Sequence, residues 1–172
     1  MKIKGINDES FNDYKLPAMF IAFPTCSFKC DEENGEKLCQ NSHLAHEADI
    51  ETSKEQLLRR YTQNPISKAI VLGGLEPFDS ELDLASFINC ARYQYGISDP
   101  IIIYTGYTEA EIESGNFGRA PNDVQQSIWD SIKKSGNIIV KFGRYRPNQE
   151  KHYDSILGVY LASDNQYAKE YL

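Results

Sequence analysis

No stretch of this chain approaches the roughly 20 consecutive apolar residues that span a bilayer, and no repeat, low-complexity tract or Gly/Ser linker interrupts it. The missing span excludes a helical membrane protein, and the missing linkers predict one continuous domain over residues 1–172. That length falls short of the roughly 250 residues of a complete eight-fold barrel. Met1 to Glu9 lacks the apolar run and small-residue cleavage site of a secretory signal, so a cytoplasmic protein with reduced thiols is expected. Basic residues are scarce. Eighteen Lys and Arg face 25 Asp and Glu, for a net charge of −7. Phosphate backbones demand the opposite balance, which excludes nucleic acid and points to a small molecule or another protein as partner. Cysteine is sparse too: of four, three fall between positions 26 and 39 and Cys90 stands alone. That clustering reads as ligation rather than as two disulfides.

Within the chain, short apolar runs alternate with helical patterns. Ala18–Phe23, ending at Pro24, suits a buried strand, and so do 68–72, 101–104 and 137–141. Thr52 or Ser53 can cap a helix carrying Leu57, Leu58 and Tyr61. From Ser80 to about Tyr95, Leu82, Leu84, Ala85, Phe87, Ile88 and Ala91 recur at helical spacing and stop at Gly96. Asp123 to Lys134 carries Val124, Ile128, Trp129 and Ile132 on one stripe. Strand–helix–strand alternation predicts an α/β fold with a mostly parallel sheet and ligands at the carboxyl ends of its strands.

The candidate chemistry sits at those ends. After the first strand, within a loop over 24–43, Cys26 and Cys30 enclose three residues, and Cys39 follows after eight more. Three thiolates on a [4Fe-4S] cubane leave one iron open to a ligand that chelates and accepts an electron. His43 also completes a Cys3His set whose spacing suits a structural zinc, while His46 reads as an ordinary exposed histidine. On ligand arithmetic, cluster and zinc stand level. After the second strand, Gly73-Gly74-Leu75-Glu76-Pro77 is either a plain turn or a place where glycine backbone approaches a ligand and its carbonyls accept from an ammonium. After the third, Thr105-Gly106-Tyr107-Thr108-Glu109 offers hydroxyls for a ribose, or merely an N-cap at Thr108.

A thiolate loop, a Gly-Gly/Glu-Pro turn and a polar turn, in that order, resemble the radical S-adenosylmethionine superfamily. Tyr104-Thr105-Gly106-Tyr107-Thr108, Phe142-Gly143-Arg144-Tyr145 and Ser163-Asp164-Asn165-Gln166 narrow the likeness to the activating proteins of anaerobic ribonucleoside-triphosphate reductases. The landmarks run from Phe20 to Gln166. Two features depart from the superfamily pattern: eight residues rather than two separate the last two cysteines, and Leu75 lies inside the Gly-Gly/Glu-Pro turn.

The resemblance implies a shortened partial (β/α)6 barrel and a [4Fe-4S] cluster on Cys26, Cys30 and Cys39 that cleaves S-adenosylmethionine to a 5′-deoxyadenosyl radical. It implies a glycyl-radical protein as target, the large subunit of anaerobic ribonucleotide reductase, and a one-electron donor such as flavodoxin or ferredoxin. It implies that Gly73, Gly74 and Glu76 hold the methionine amino end, that Thr105 lies beside the ribose and that Leu38 packs on the adenine. Arg144 is a candidate for a carboxylate or partner contact, against the alternative of a solvated surface arginine. Asn165 and Gln166 either touch ligand or cap a final helix. Radical chemistry on another protein or a small molecule, and a zinc-stabilised binding module, are the alternatives.

Overall fold

The computed structural model describes residues 1–172. Its first strands, β1 (Lys2–Ile3) and β2 (Gly5–Ser10), lead to β3 (Ala18–Phe23) and then to a short helix α1 (Lys29–Asn34) inside the cysteine loop. There follow β4 (Ile50–Glu51), α2 (Lys54–Gln63), β5 (Ala69–Gly74), α3 (Glu81–Asn89), β6 (Ile101–Tyr104), α4 (Glu109–Glu113), α5 (Asn122–Lys134) and β7 (Ile138–Phe142). The chain ends with a hairpin, β8 (His152–Asp154) and β9 (Val159–Leu161), and with β10 (Tyr167–Tyr171).

Six strands form one open sheet in the order β10-β7-β6-β5-β3-β2. The four inner strands are parallel, and β2 and β10 run antiparallel along its two edges. The fold is therefore α/β with a mostly parallel, unclosed sheet. Inner strands are buried on both faces, which is why they read as nearly continuous apolar runs. The edge strands escape that signature: β2, of sequence GINDES, pairs on one side only and keeps Asn7 exposed and Asp8 and Glu9 half-buried.

The helices begin where their caps dictate. Ser53 accepts from the Gln56 amide while the Gln56 side chain accepts from the Ser53 amide, a reciprocal cap that opens α2. Leu57, Leu58 and Tyr61 are buried as the spacing predicts. Two residues of the predicted stripes face outward instead. Leu82 is 67% exposed and Val124 39% exposed. Leu82 stands two residues before Leu84, a turn of roughly 200° about the helix, so it cannot share the face of Leu84, Phe87 and Ile88. The predicted final helix is absent: the residues after Gln166 pair with β7 as β10.

The two faces of the sheet are covered differently. On one, α2, α3 and α5 close a continuous core of 27 buried residues that includes Phe78, Phe87 and Trp129. The other carries a core of only nine, in which Tyr14 and, from the hairpin, Leu157 and Leu161 lie over Val71, Ile102 and Ile139. No helix is long and apolar enough to cross a membrane.

Candidate functional site: a cysteine-lined cavity at the strand ends

Past Phe23 the chain leaves the sheet at its carboxyl edge, and Thr25 is fixed there by accepting from the Glu76 amide at 2.8 Å. The Ser27 amide donates to Asp79 at 2.5 Å. Phe28 takes a left-handed conformation (φ 54°), which turns the backbone into α1 and lets its amide donate to the Cys26 sulfur at 3.2 Å. One side chain then closes the long segment between the second and third cysteines. Asp31 Oδ1 accepts from the amides of both Leu38 and Cys39 at 2.9 Å, so the residues between return on themselves and Cys39 comes back beside Cys30.

Cys26, Cys30 and Cys39 all line one cavity of about 420 Å³. Burial is the main influence on the acidity of Cys26 and Cys30. It pushes the Cys26 thiol up to about 12, helped by the carboxylates of Glu76 and Asp79, and the Cys30 thiol up to about 11, helped by Cys39 and Asp31. In the metal-free chain these two thiols are neutral near pH 7, and a bound metal has to displace their protons. No three His, Cys, Asp or Glu side chains stand close enough together to hold a single metal ion. A cubane has less strict demands, because it presents its irons at separate corners. The donor set fits such a group: three cysteines on one cavity, with open space beyond them. His43 is exposed, binds the Gln40 carbonyl through Nδ1 at 3.2 Å and does not line the cavity; His46 is exposed as well.

The turn after β5 brings Gly74, Leu75 and Glu76 to the same cavity. Gly74 has φ +81°, and a Cβ there would lie 2.7 Å from that of Ala22, so only glycine fits. Its carbonyl accepts from Asn41 Nδ2 at 2.8 Å. Gly73 does not line the cavity; it lies under the Phe20 ring, which a Cβ would approach to 3.2 Å. Glu76 is buried, and its carboxylate accepts from the Phe78 amide, the Gly106 amide and the Thr105 hydroxyl at 2.7–3.1 Å. Burial outweighs these three donors and raises its carboxyl to about 7. The Thr105 hydroxyl in turn accepts from the Tyr107 amide, so both of its bonds are made within the protein. Thr108 is the N-cap of α4, the plainer of its two readings.

Protein-family models, curated proteins and solved structures provide no match for the chain.

Thus the cavity gathers Cys26, Cys30, Cys39, Gly74, Glu76, Thr105 and Arg144 from the sequence-predicted set and leaves out Gly73 and Leu38. Arg144 is no solvated surface residue. Its side chain is 7% exposed, forks onto both Glu111 oxygens at 2.8 and 2.9 Å, and lies 3.3 Å from Glu33 of α1. Burial opposes ionisation of Glu111, but the Arg144 fork prevails and holds its carboxyl at about 2. The arginine is thereby a strut between the cysteine loop and α4. Asn165 and Gln166 hold the same turn: Asn165 donates to the Arg144 carbonyl, and Gln166, which also lines the cavity, donates to that of Gly143.

Among the lining residues that no sequence motif marked is Lys141. Lys141 is next to last in β7, on the same sheet face as Ile139, is 8% exposed and donates to the Gly143 carbonyl at 3.0 Å. Burial lowers its ammonium to about 8, against the favourable pull of Glu76. The signal was present as a lone charge in an otherwise apolar strand, since fully buried lysines are rare unless they have a task.

Proposed function

We propose that the chain is a radical S-adenosylmethionine activating enzyme built on a shortened partial (β/α)6 barrel, with Cys26, Cys30 and Cys39 holding a [4Fe-4S] cluster. The observation that carries this reading is the convergence of the three cysteines with Gly74, Glu76 and Lys141 on one cavity at the carboxyl ends of parallel strands. When bound, the cluster supplies the electron that cleaves the sulfonium of S-adenosylmethionine reductively to methionine and a 5′-deoxyadenosyl radical.

The protein's own residues bind and orient. Lys141 offers a buried positive charge to the methionine carboxylate, and the Glu76 carboxyl lies near the place where the amino group is held. The Glu76–Thr105–Gly106 bonds fix the second and third turns against each other and keep the cavity in shape. Arg144 keeps the cysteine loop against α4. The target is a glycyl-radical protein, and the order of motifs favours the large subunit of anaerobic ribonucleotide reductase, with a flavodoxin or ferredoxin as electron donor. The placement of His43 away from the cavity weighs against a Cys3His zinc module.

Anaerobic reconstitution with iron and sulfide tests the reading. The expected result is about four irons per chain, loss of cluster absorbance in Cys26→Ser, Cys30→Ser or Cys39→Ser, and release of 5′-deoxyadenosine and methionine under strong reductant. A protein that takes up one zinc and leaves S-adenosylmethionine intact overturns it.

A further inference from the structure

A second pocket, of about 250 Å³, lies between the cysteine loop and the connector from α4 to α5. Cys26, Ser27 and Lys29 form one wall, and Asn116, Arg119 and Asn122 the other. Two buried side chains fix the connector. Glu81 accepts from the amides of Arg119 and Ala120 at 3.1 and 3.0 Å, and Gln125 accepts from that of Phe117 at 3.0 Å. Gly118 has φ +58°, and a Cβ there would lie 2.6 Å from the Glu81 carboxyl carbon, so the connector passes this point only as glycine. The acid of the pocket, Asp79, is already engaged: its two oxygens accept from the Ser27 amide at 2.5 Å and the Tyr107 hydroxyl at 2.6 Å. The two cations are freer. The exposed Arg119 guanidinium has no hydrogen-bond or ion-pair partner in the chain. The Lys29 ammonium lies 4.6 Å over the Tyr107 ring and 4.0 Å from Glu111, which the Arg144 fork already holds. On a chain of net charge −7, these two side chains make a positive rim.

Cys26 belongs to this pocket and to the larger cavity alike, whereas Cys30 and Cys39 line the larger cavity without reaching this pocket. We infer that the second pocket is a socket in which an acidic one-electron carrier protein sets a surface carboxylate between Arg119 and Lys29, bringing its redox centre to the Cys26 side of the site. Two observations commit the pocket to that occupant. Unpaired cations on an otherwise acidic protein select an acidic partner and steer its approach. The larger cavity is filled by the cosubstrate, so an electron has to arrive by another route, and Cys26 is the cysteine that opens on one. In that step one electron leaves the reduced carrier and enters the oxidised cluster, and no bond forms or breaks. The electron-carrying role of the occupant rests on the proposed function; the positive socket itself rests on the residues above.

Flavodoxin, an acidic one-electron carrier, is the probe. Its affinity for the reconstituted protein is measured by titration, and the rate at which its reduced form bleaches the cluster absorbance is followed separately. Arg119→Glu changes an exposed side chain and is expected to weaken flavodoxin binding about tenfold at low ionic strength. Lys29→Gln weakens it less. Cluster reduction by flavodoxin slows in proportion below saturation, while reduction by dithionite, which needs no docking, is unchanged in both variants. Arg59→Glu makes the same change of charge on α2, away from the pocket, and binds flavodoxin as the wild type does. Wild-type protein that does not bind flavodoxin, Arg119→Glu that binds it as tightly as wild type, or Arg59→Glu that loses as much, overturns the socket. Flavodoxin that docks through Arg119 on a protein that takes up no cluster keeps the socket and overturns the proposed function. Cleavage of S-adenosylmethionine under dithionite, with docking indifferent to Arg119, does the reverse.

Discussion

One sheet serves two faces that differ in kind. The helix-covered face is mostly apolar, with Phe78 edge-on to both Phe117 and Trp129 at 5.0 and 6.0 Å, and its buried polar groups Glu81 and Gln125 are spent on backbone amides of the segment between α4 and α5. The opposite face carries a third as many core residues, a buried lysine and a space of about 420 Å³. The same strands supply both, because alternate residues point to opposite sides. Stability is concentrated where the helices pack, and binding is built where they do not.

The sharpest way to break that contrast is to damage the helical face. Phe87→Ala removes a fully buried ring from the larger core and is expected to cost about 3–5 kcal/mol in urea unfolding. The cavity face is probed by pH. Glu76 titrates near 7 in the fold against 4.5 when free, so the folded state favours its protonated form. Its contribution is complete below about pH 4.5 and is lost as pH rises through 7, a fall of about 3 kcal/mol. Glu76→Gln removes this fall, and the difference between the two unfolding-versus-pH curves measures it. Equal slopes for the two proteins would sink the account. The smallest effect has the opposite sign. Lys141→Met is expected to raise the stability of the metal-free protein by about 2 kcal/mol at neutral pH while weakening methionine binding. A lysine whose loss stabilises the chain is one retained for binding.

Much of this architecture was legible beforehand. Ala18–Phe23 and Ile101–Tyr104 coincide with their strands, because double burial leaves a continuous apolar run. The strands at 68–72 and 137–141 are shifted by one or two residues, where Gly73, Gly74 and Phe142 extend the pairing. Edge strands were hidden because one-sided pairing tolerates a sequence such as GINDES. The hairpin was hidden because its partner face lies far along the chain. In the candidate site, the cysteines and the two turns were visible as motifs, yet motifs do not reveal commitments. Thr105 and Glu76 satisfy each other, Arg144 is spent on Glu111, and Leu38 turns aside. Such pairings depend on segments about 30 residues apart, which no local spacing records.

Asp31 has a meaning beyond its two hydrogen bonds. By gripping the amides of Leu38 and Cys39 it makes the intervening residues a closed annex whose two ends stay together. Chain can be added or removed at its crown, between Gly35 and Lys37, without moving either flanking cysteine. The annex is thus a natural point of insertion for a reporter or an affinity handle.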